Sequence, residues 1–177
     1  MKVFLRNAPN KIIFFFLYFF TLLHLFVAPA KSQIIDSSFF DWTVYEIKTA
    51  ELEPKICYIS AYPTSSKSNH SSRKRPYIMI THYQETNEEE FSAFGGFDYK
   101  KNSEVFITVD NTQFKILAKG KNAWARTKYE DIKLIQTILK SAILKVRSDS
   151  NIGTYAVDEY SLRGVTKAYL RMKEICK

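Results

Sequence analysis

The residues of this chain best suited to chemistry are two cysteines, a few histidines and two clusters of opposite charge, each testable against what a reaction would need. Hydrolysis needs a nucleophile held against a base. Beyond the first thirty residues the histidines are His70, in a polar stretch, and His82, inside an apolar run. A Ser–His–Asp site requires a positioned imidazole, which leaves His82; a strand histidine, however, is ordinarily a packing or surface side chain. No GxSxG or HExxH pattern occurs. Ser71-Ser72-Arg73-Lys74 formally matches SxxK, but that chemistry places the serine at a helix start and needs SDN and KTG elements as well. Here the serine lies in a polar loop.

Glu85 and Glu88-Glu89-Glu90 lack the alternating oxygen ligands and turn glycine of an EF-hand loop and read as a solvated acidic turn. The chain thus offers no catalytic residue, no cofactor-binding residue and no metal ligand, and a non-enzymatic protein is expected. The basic cluster is more informative. Thr64–Pro76 holds Lys67, Arg73, Lys74 and Arg75 and no acid, a candidate contact for an anionic lipid, lipopolysaccharide or polyanionic glycan. The alternative is a solvated loop that keeps strand edges soluble. Aromatic residues are not interleaved with these cations, so nucleic acid is not indicated.

Redox or zinc chemistry would want a CxxC spacing, which is absent. Cys57 and Cys176 are instead an even pair far apart in sequence. In an exported protein such a pair favours a disulfide, worth roughly 4–5 kcal/mol for so long a loop by chain entropy. The alternative is two buried thiols.

Export is what the N-terminus predicts. Lys2, Arg6 and Lys11 precede an apolar run from Ile12 to Val27, which ends in Ala28-Pro29-Ala30. A basic region, an apolar region and small residues at −3 and −1 make a secretory signal peptide over 1–30. A membrane anchor wants roughly 20 apolar residues; this run is shorter and interrupted by Thr21 and His24. Cleavage after Ala30 removes three cations and no acid. The formal charge of +8, from 26 basic and 18 acidic side chains, then falls to +5 over residues 31–177. That is short of a nucleic-acid-binding balance and fits one domain with no integral membrane span.

The elements that must position these groups follow from periodicity. After a leader at Lys31–Ser38, strands are expected at Phe39–Ile47, Lys55–Tyr62, Tyr77–Tyr83 and Phe91–Phe97. Phe40, Trp42 and Val44 share a face in the first, and Cys57, Ile59 and Ala61 in the second. Pro63–Pro76 reads as a polar connection and Gln84–Glu90 as a turn. A hairpin pairs Glu104–Val109 with Gln113–Ala118 around Asp110-Asn111-Thr112, and a short strand follows at Ala123–Arg126. Trp42 and Trp124 read as core aromatics. Ile132, Ile135, Ile138, Leu139 and Ala142 recur at helical spacing over Tyr129–Ser141. Strands at Ala142–Arg147 and Gly153–Tyr160 precede a last helix, Leu162–Ile175, with Cys176 at its end. The fold class expected is mainly β: a single β-rich sandwich- or barrel-like domain with one internal amphipathic helix and a C-terminal helix.

Phe40-Asp41-Trp42-Thr43-Val44 near the predicted mature start, the strand at Ile56-Cys57-Tyr58, a helix after Ala123-Trp124-Ala125, and Ser161-Leu162-Arg163-Gly164 with Ala168 beyond it form a set. This set resembles the invasion-associated locus B family of exported bacterial proteins, over essentially all of 31–177. The chain departs from the family pattern in its cysteines: typical members carry one shortly after the Trp and a pair before the helix, whereas here Cys176 stands at the end. The resemblance implies a β-rich protein of the Gram-negative periplasm or outer membrane, with a virulence role in host-cell entry for some members. It supplies no catalytic residues. The function expected is an exported binding protein whose partner is a protein or an anionic glycan or lipid surface. The alternative is a periplasmic structural or chaperone-like factor without host contact.

Overall fold

The computed structural model describes residues 32–48 and 55–177. The chain divides between Ala30 and Lys31, and all described residues lie in the second unit; the signal-peptide reading of 1–30 falls outside them. Eleven strands and two helices follow in the order β1 (Ser32–Phe39), β2 (Trp42–Lys48), β3 (Ile56–Ala61), β4 (Ser65–Ser68), β5 (Tyr77–Tyr83), β6 (Glu88–Phe94), β7 (Glu104–Val109), β8 (Thr112–Lys119), β9 (Asn122–Trp124), α1 (Lys128–Ile138), β10 (Ile143–Asp149), β11 (Tyr155–Ser161) and α2 (Val165–Ile175). The strands form one antiparallel sheet in the order β1-β2-β3-β5-β6-β9-β8-β7-β10-β11-β4.

The place of β4 shows how the sheet closes. It pairs with β11 at the far edge of the sheet, yet only Tyr62-Pro63-Thr64 separate it from β3. Four chain steps from Ala61 to Ser65 span at most roughly 14 Å, so the two ends of the sheet come together and enclose a single core. The mainly β, sandwich-like architecture expected from the sequence is therefore present, with α1 and α2 as its two helices. The inner face carries Trp42, Val44, Ile59, Ile78, Ile80, Phe91, Ile107 and Tyr160, all fully buried. Helix α2 lays Val165, Ala168 and Met172 on this core, against β1, β2 and β3. A disulfide joins Cys57 on β3 to Cys176 just past α2, with Cα atoms 5.9 Å apart.

Several expectations are corrected. The Lys31–Ser38 leader is a strand over Ser32–Phe39; as an edge element held by backbone pairing to β2, it needs no alternation of apolar residues and so gives no periodic signal. Pro63–Pro76 contains β4, whose four residues are all exposed and hidden for the same reason. The acidic turn is only Gln84–Asn87, because Glu88-Glu89-Glu90 begin β6. Phe40 leaves the face of Trp42 and Val44: it turns at φ 56° and is 62% exposed. Trp124 is half-buried, not a core residue. In α1 the buried residues are Asp131, Leu134, Ile135 and Ile138, and Ile132 faces outward.

The segments that carried the family resemblance meet across the fold. The Trp42 indole Nε1 donates to the carbonyl of Ser161 at 3.1 Å, and the Arg163 guanidinium lies 3.9 Å from the centroid of the Phe40 ring. Gly164 has φ 95°, and a Cβ there would stand 2.1 Å from the Phe39 carbonyl oxygen. Only glycine fits a left-handed backbone so close to another strand. The two motifs form one clasp that ties the β1–β2 turn to the entry of α2.

Candidate functional site

The four predicted anion contacts, Lys67, Arg73, Lys74 and Arg75, separate into different roles. Arg73 is withdrawn into the fold. Its guanidinium makes a bidentate pair with Asp158 at 2.7 and 2.5 Å, its Nε donates to the Gly95 carbonyl at 2.6 Å, and both charged groups are buried. Asp158 also accepts from Ser66 of β4 at 2.6 Å. Such a pair fixes β11, β4 and the end of β6 together and leaves Arg73 no charge to offer a ligand. Lys67 is exposed on the edge strand β4. Lys74 is exposed too, and its amide donates to Gly96 at 2.9 Å. Arg75 stacks 3.6 Å over the Tyr62 ring.

Arg75 and Tyr62 begin a row on the outer face of the sheet. The register places Tyr77 opposite Phe94, Phe94 opposite Asn122, and Asn122 opposite Lys119. Tyr62 meets Tyr77 edge-on at 6.4 Å between centroids, and Tyr77 stacks on Phe94 at 4.8 Å. Tyr45 and Tyr58 stack at 4.7 Å on the same face. Burial, reinforced by Tyr45, Tyr77 and Tyr62, pushes the Tyr58 hydroxyl up to about 12, so it remains a neutral donor. The row crosses β3, β5, β6, β9 and β8, about 20 Å at ordinary strand spacing.

At its far end the row reaches a hollow of about 820 Å³ lined by Trp124 and Leu117, with Lys101, Lys119, Arg126 and Asp98 around it. A second hollow of about 540 Å³ shares Asp98 and Asn151 with the first and adds His70, Lys74, Lys121 and the paired Arg73. The two-residue hairpin at Gly120-Lys121 stands between them, Gly120 adopting the left-handed φ of 62° that the tight turn requires. Arg126 pairs with Glu104, whereas no ion pair engages Lys74, Lys101, Lys119 or Lys121 among the described residues. Four free ammonium groups around two adjoining hollows, bordered by aromatic faces, can hold a ligand that carries spaced negative charges and flat apolar surfaces.

His82, the histidine singled out for hydrolysis, does structural work. It lies opposite Cys57 and Glu89 on neighbouring strands, and is buried. Its Nδ1 accepts from the Lys173 ammonium at 3.2 Å; Lys173 also pairs with Glu89 at 2.8 Å, and the Tyr169 hydroxyl meets both Glu89 oxygens at 2.8 Å. Burial first, then the Lys173 charge, hold the imidazole below its usual range, with Glu89 pulling the other way. The adjacent Cys57 sulfur is committed to the disulfide. His82 therefore anchors α2 on the sheet. Ser71 lies in an exposed loop, far from the helix start that SxxK chemistry needs. Among the described residues no three His, Cys, Asp or Glu side chains converge as metal ligands, and no helix is long and apolar enough to cross a membrane.

Sequence reasoning missed Lys101, Lys119, Lys121 and Trp124 as site residues. Lys119, Lys121 and Trp124 belong to the β8–β9 hairpin and Lys101 to the β6–β7 connection, and the two segments meet only through the fold. The one signal available was the density of lysines between Lys100 and Lys121. No family model matches the chain, and no curated protein or solved structure matches it either.

Proposed function

We propose that this protein is an exported, non-enzymatic binding domain that docks on an anionic glycan of a cell envelope or host surface. The observation that supports this most is the pair of adjoining basic hollows at the end of an aromatic row. Uronic-acid or sulfated sugars combine the two features that such a surface engages: ring faces that pack on aromatic side chains, and negative charges at regular intervals. The signal-peptide pattern of residues 1–30 supports export, and the resemblance to the invasion-associated locus B family supports a place in the envelope and a role in host-cell association. The disulfide agrees with an oxidising compartment.

Titration with polygalacturonate, followed by the fluorescence of half-buried Trp124, tests this reading; Trp42 is fully buried and serves as a constant background. Expected is saturable binding that weakens as salt screens the lysines, with no response to uncharged dextran. Lys101→Glu combined with Lys119→Glu should weaken binding at least ten-fold. Equal binding to dextran, or no loss in the double variant, would dismiss the reading. Binding to anionic lipid vesicles with none to polygalacturonate would transfer the site to a membrane surface.

A further inference from the structure

We infer that the open edge of β8 is a second docking site, which takes an extended acidic polypeptide segment as an added strand. This goes beyond glycan binding and rests on a different part of the molecule. The sheet is incomplete at one place. β9 has only three residues and pairs with β6 over Ser92–Phe94 and with β8 over Leu117–Lys119. Beyond it the chain leaves as α1, so the first halves of β6 and β8 both lack a neighbour on that side.

The two exposed edges are treated differently. On the β6 side α1 seals the gap: the Asp131 carboxylate accepts the Phe91 amide at 2.8 Å, standing in for the missing strand. On the β8 side nothing does so. Val109 and Thr112 flank a two-residue turn and make a hydrogen-bonded pair by the geometry of such hairpins. Counting by two, Phe114 and Ile116 direct their amides and carbonyls to β7, while Gln113 and Lys115 direct theirs away from it. No backbone or side-chain hydrogen bond meets Gln113 or Lys115 on that outward side among the described residues.

That edge borders a slot of about 410 Å³ between β8 and α1. Phe114, Ile116 and Leu134 line it with apolar surface; of its three cations, Lys115 and Arg126 both pair with Glu104, and no ion pair engages Lys133 among the described residues, with Glu130 the one acid in the lining. Glu130 is itself occupied, accepting the Arg126 amide at 2.8 Å. An added strand would gain backbone hydrogen bonds to Gln113 and Lys115, place alternate apolar side chains on the floor, and direct an acidic one to Lys133. The charge of the slot selects an acidic segment of a partner over a basic one.

Two measurements on the full chain test this, with an alternating Asp-Val octapeptide as probe. In the free protein the Gln113 and Lys115 amides should exchange with solvent much faster than those of Phe114 and Ile116. On addition of the peptide they should slow at least ten-fold. Lys115→Ala keeps the amide and should weaken binding only a few-fold. Lys115→Pro removes an amide that the β7 ladder does not use, a change tolerated on sheet edges, and should weaken it at least ten-fold beyond the alanine variant. A peptide N-methylated at alternate residues probes the same contact without altering the protein and should fail to bind. Unchanged exchange at Gln113 and Lys115, or equal binding by the N-methylated peptide, would overturn the inference. So would equal binding of the corresponding Lys-Val peptide.

Discussion

Arg73 and Asp158 show how burial changes what a charged residue is for. Taken from water together and hydrogen-bonded on several sides, the pair holds three parts of the sheet in register. Removing one partner strands the other charge, which typically costs about 3–5 kcal/mol. Arg73→Ala should therefore lower the urea midpoint sharply. Gly164 makes a similar demand through the backbone: Gly164→Ala should destabilise by more than about 1 kcal/mol, since its Cβ would meet the Phe39 carbonyl. Asp131 carries a pH signature. Burial, together with the neighbouring Glu90 and Glu130 charges and against its bond from the Phe91 amide, pushes its carboxyl up to about 6. A folded pKa above the unfolded value of about 3.9 means that the folded state favours the protonated form. Its contribution to stability is full below about pH 4 and lost as pH rises through 6. Asp131→Asn keeps an acceptor for Phe91 and should stabilise the protein at pH 7 by on the order of 2 kcal/mol. Denaturant melts across pH should show that advantage vanishing near pH 4.

Among the elements, those visible in the sequence are the ones that bury one face. β7, β10 and β11 alternate cleanly because their inner residues enter the core. The stripe of α2 was legible in the same way: Val165, Ala168 and Met172 are its buried residues. β1 and β4 were not legible, because edge strands are held by backbone pairing that leaves no hydrophobic pattern. The short β9 matters out of proportion to its length, since it joins the two halves of the sheet and leaves a wedge that α1 seals on the β6 side. The disulfide acts at this scale too, pinning the end of α2 to β3. A Cys57→Ser, Cys176→Ser double variant should lose about 3–5 kcal/mol, with the melting of α2 read by circular dichroism. Free thiols in the unreduced native protein would contradict that bridge.

For the molecule as a whole, the sheet rolls until β4 stands beside β3, and that closure gives the outer surface its organisation. One region of it is aromatic, and the hollows beside it are basic. The sequence revealed a cationic cluster in Thr64–Pro76, but cations close in sequence need not act together. Arg73 entered the core, Lys67 went to an edge strand, and Arg75 joined the aromatic row. Only Lys74 brings an unpaired charge to a hollow, beside lysines of the β8–β9 hairpin and the β6–β7 connection. Which cations cooperate is set by strand register, and register depends on long-range pairing that no local pattern encodes. The two motifs were legible as residues but not as a clasp, because their meaning lies in a contact 119 residues apart in sequence.

In the proposed function Lys74, Lys101, Lys119, Lys121 and Trp124 act as one anionic-glycan surface. Heteronuclear NMR during titration with a defined oligogalacturonate tests it most directly. Resonances from Lys74, Lys101, Lys119 and Lys121 and the Trp124 indole should shift together along one isotherm, while Lys67 stays still. Shifts centred on Lys67 at the β4 edge, or spread evenly over all lysines without saturation, would contradict it.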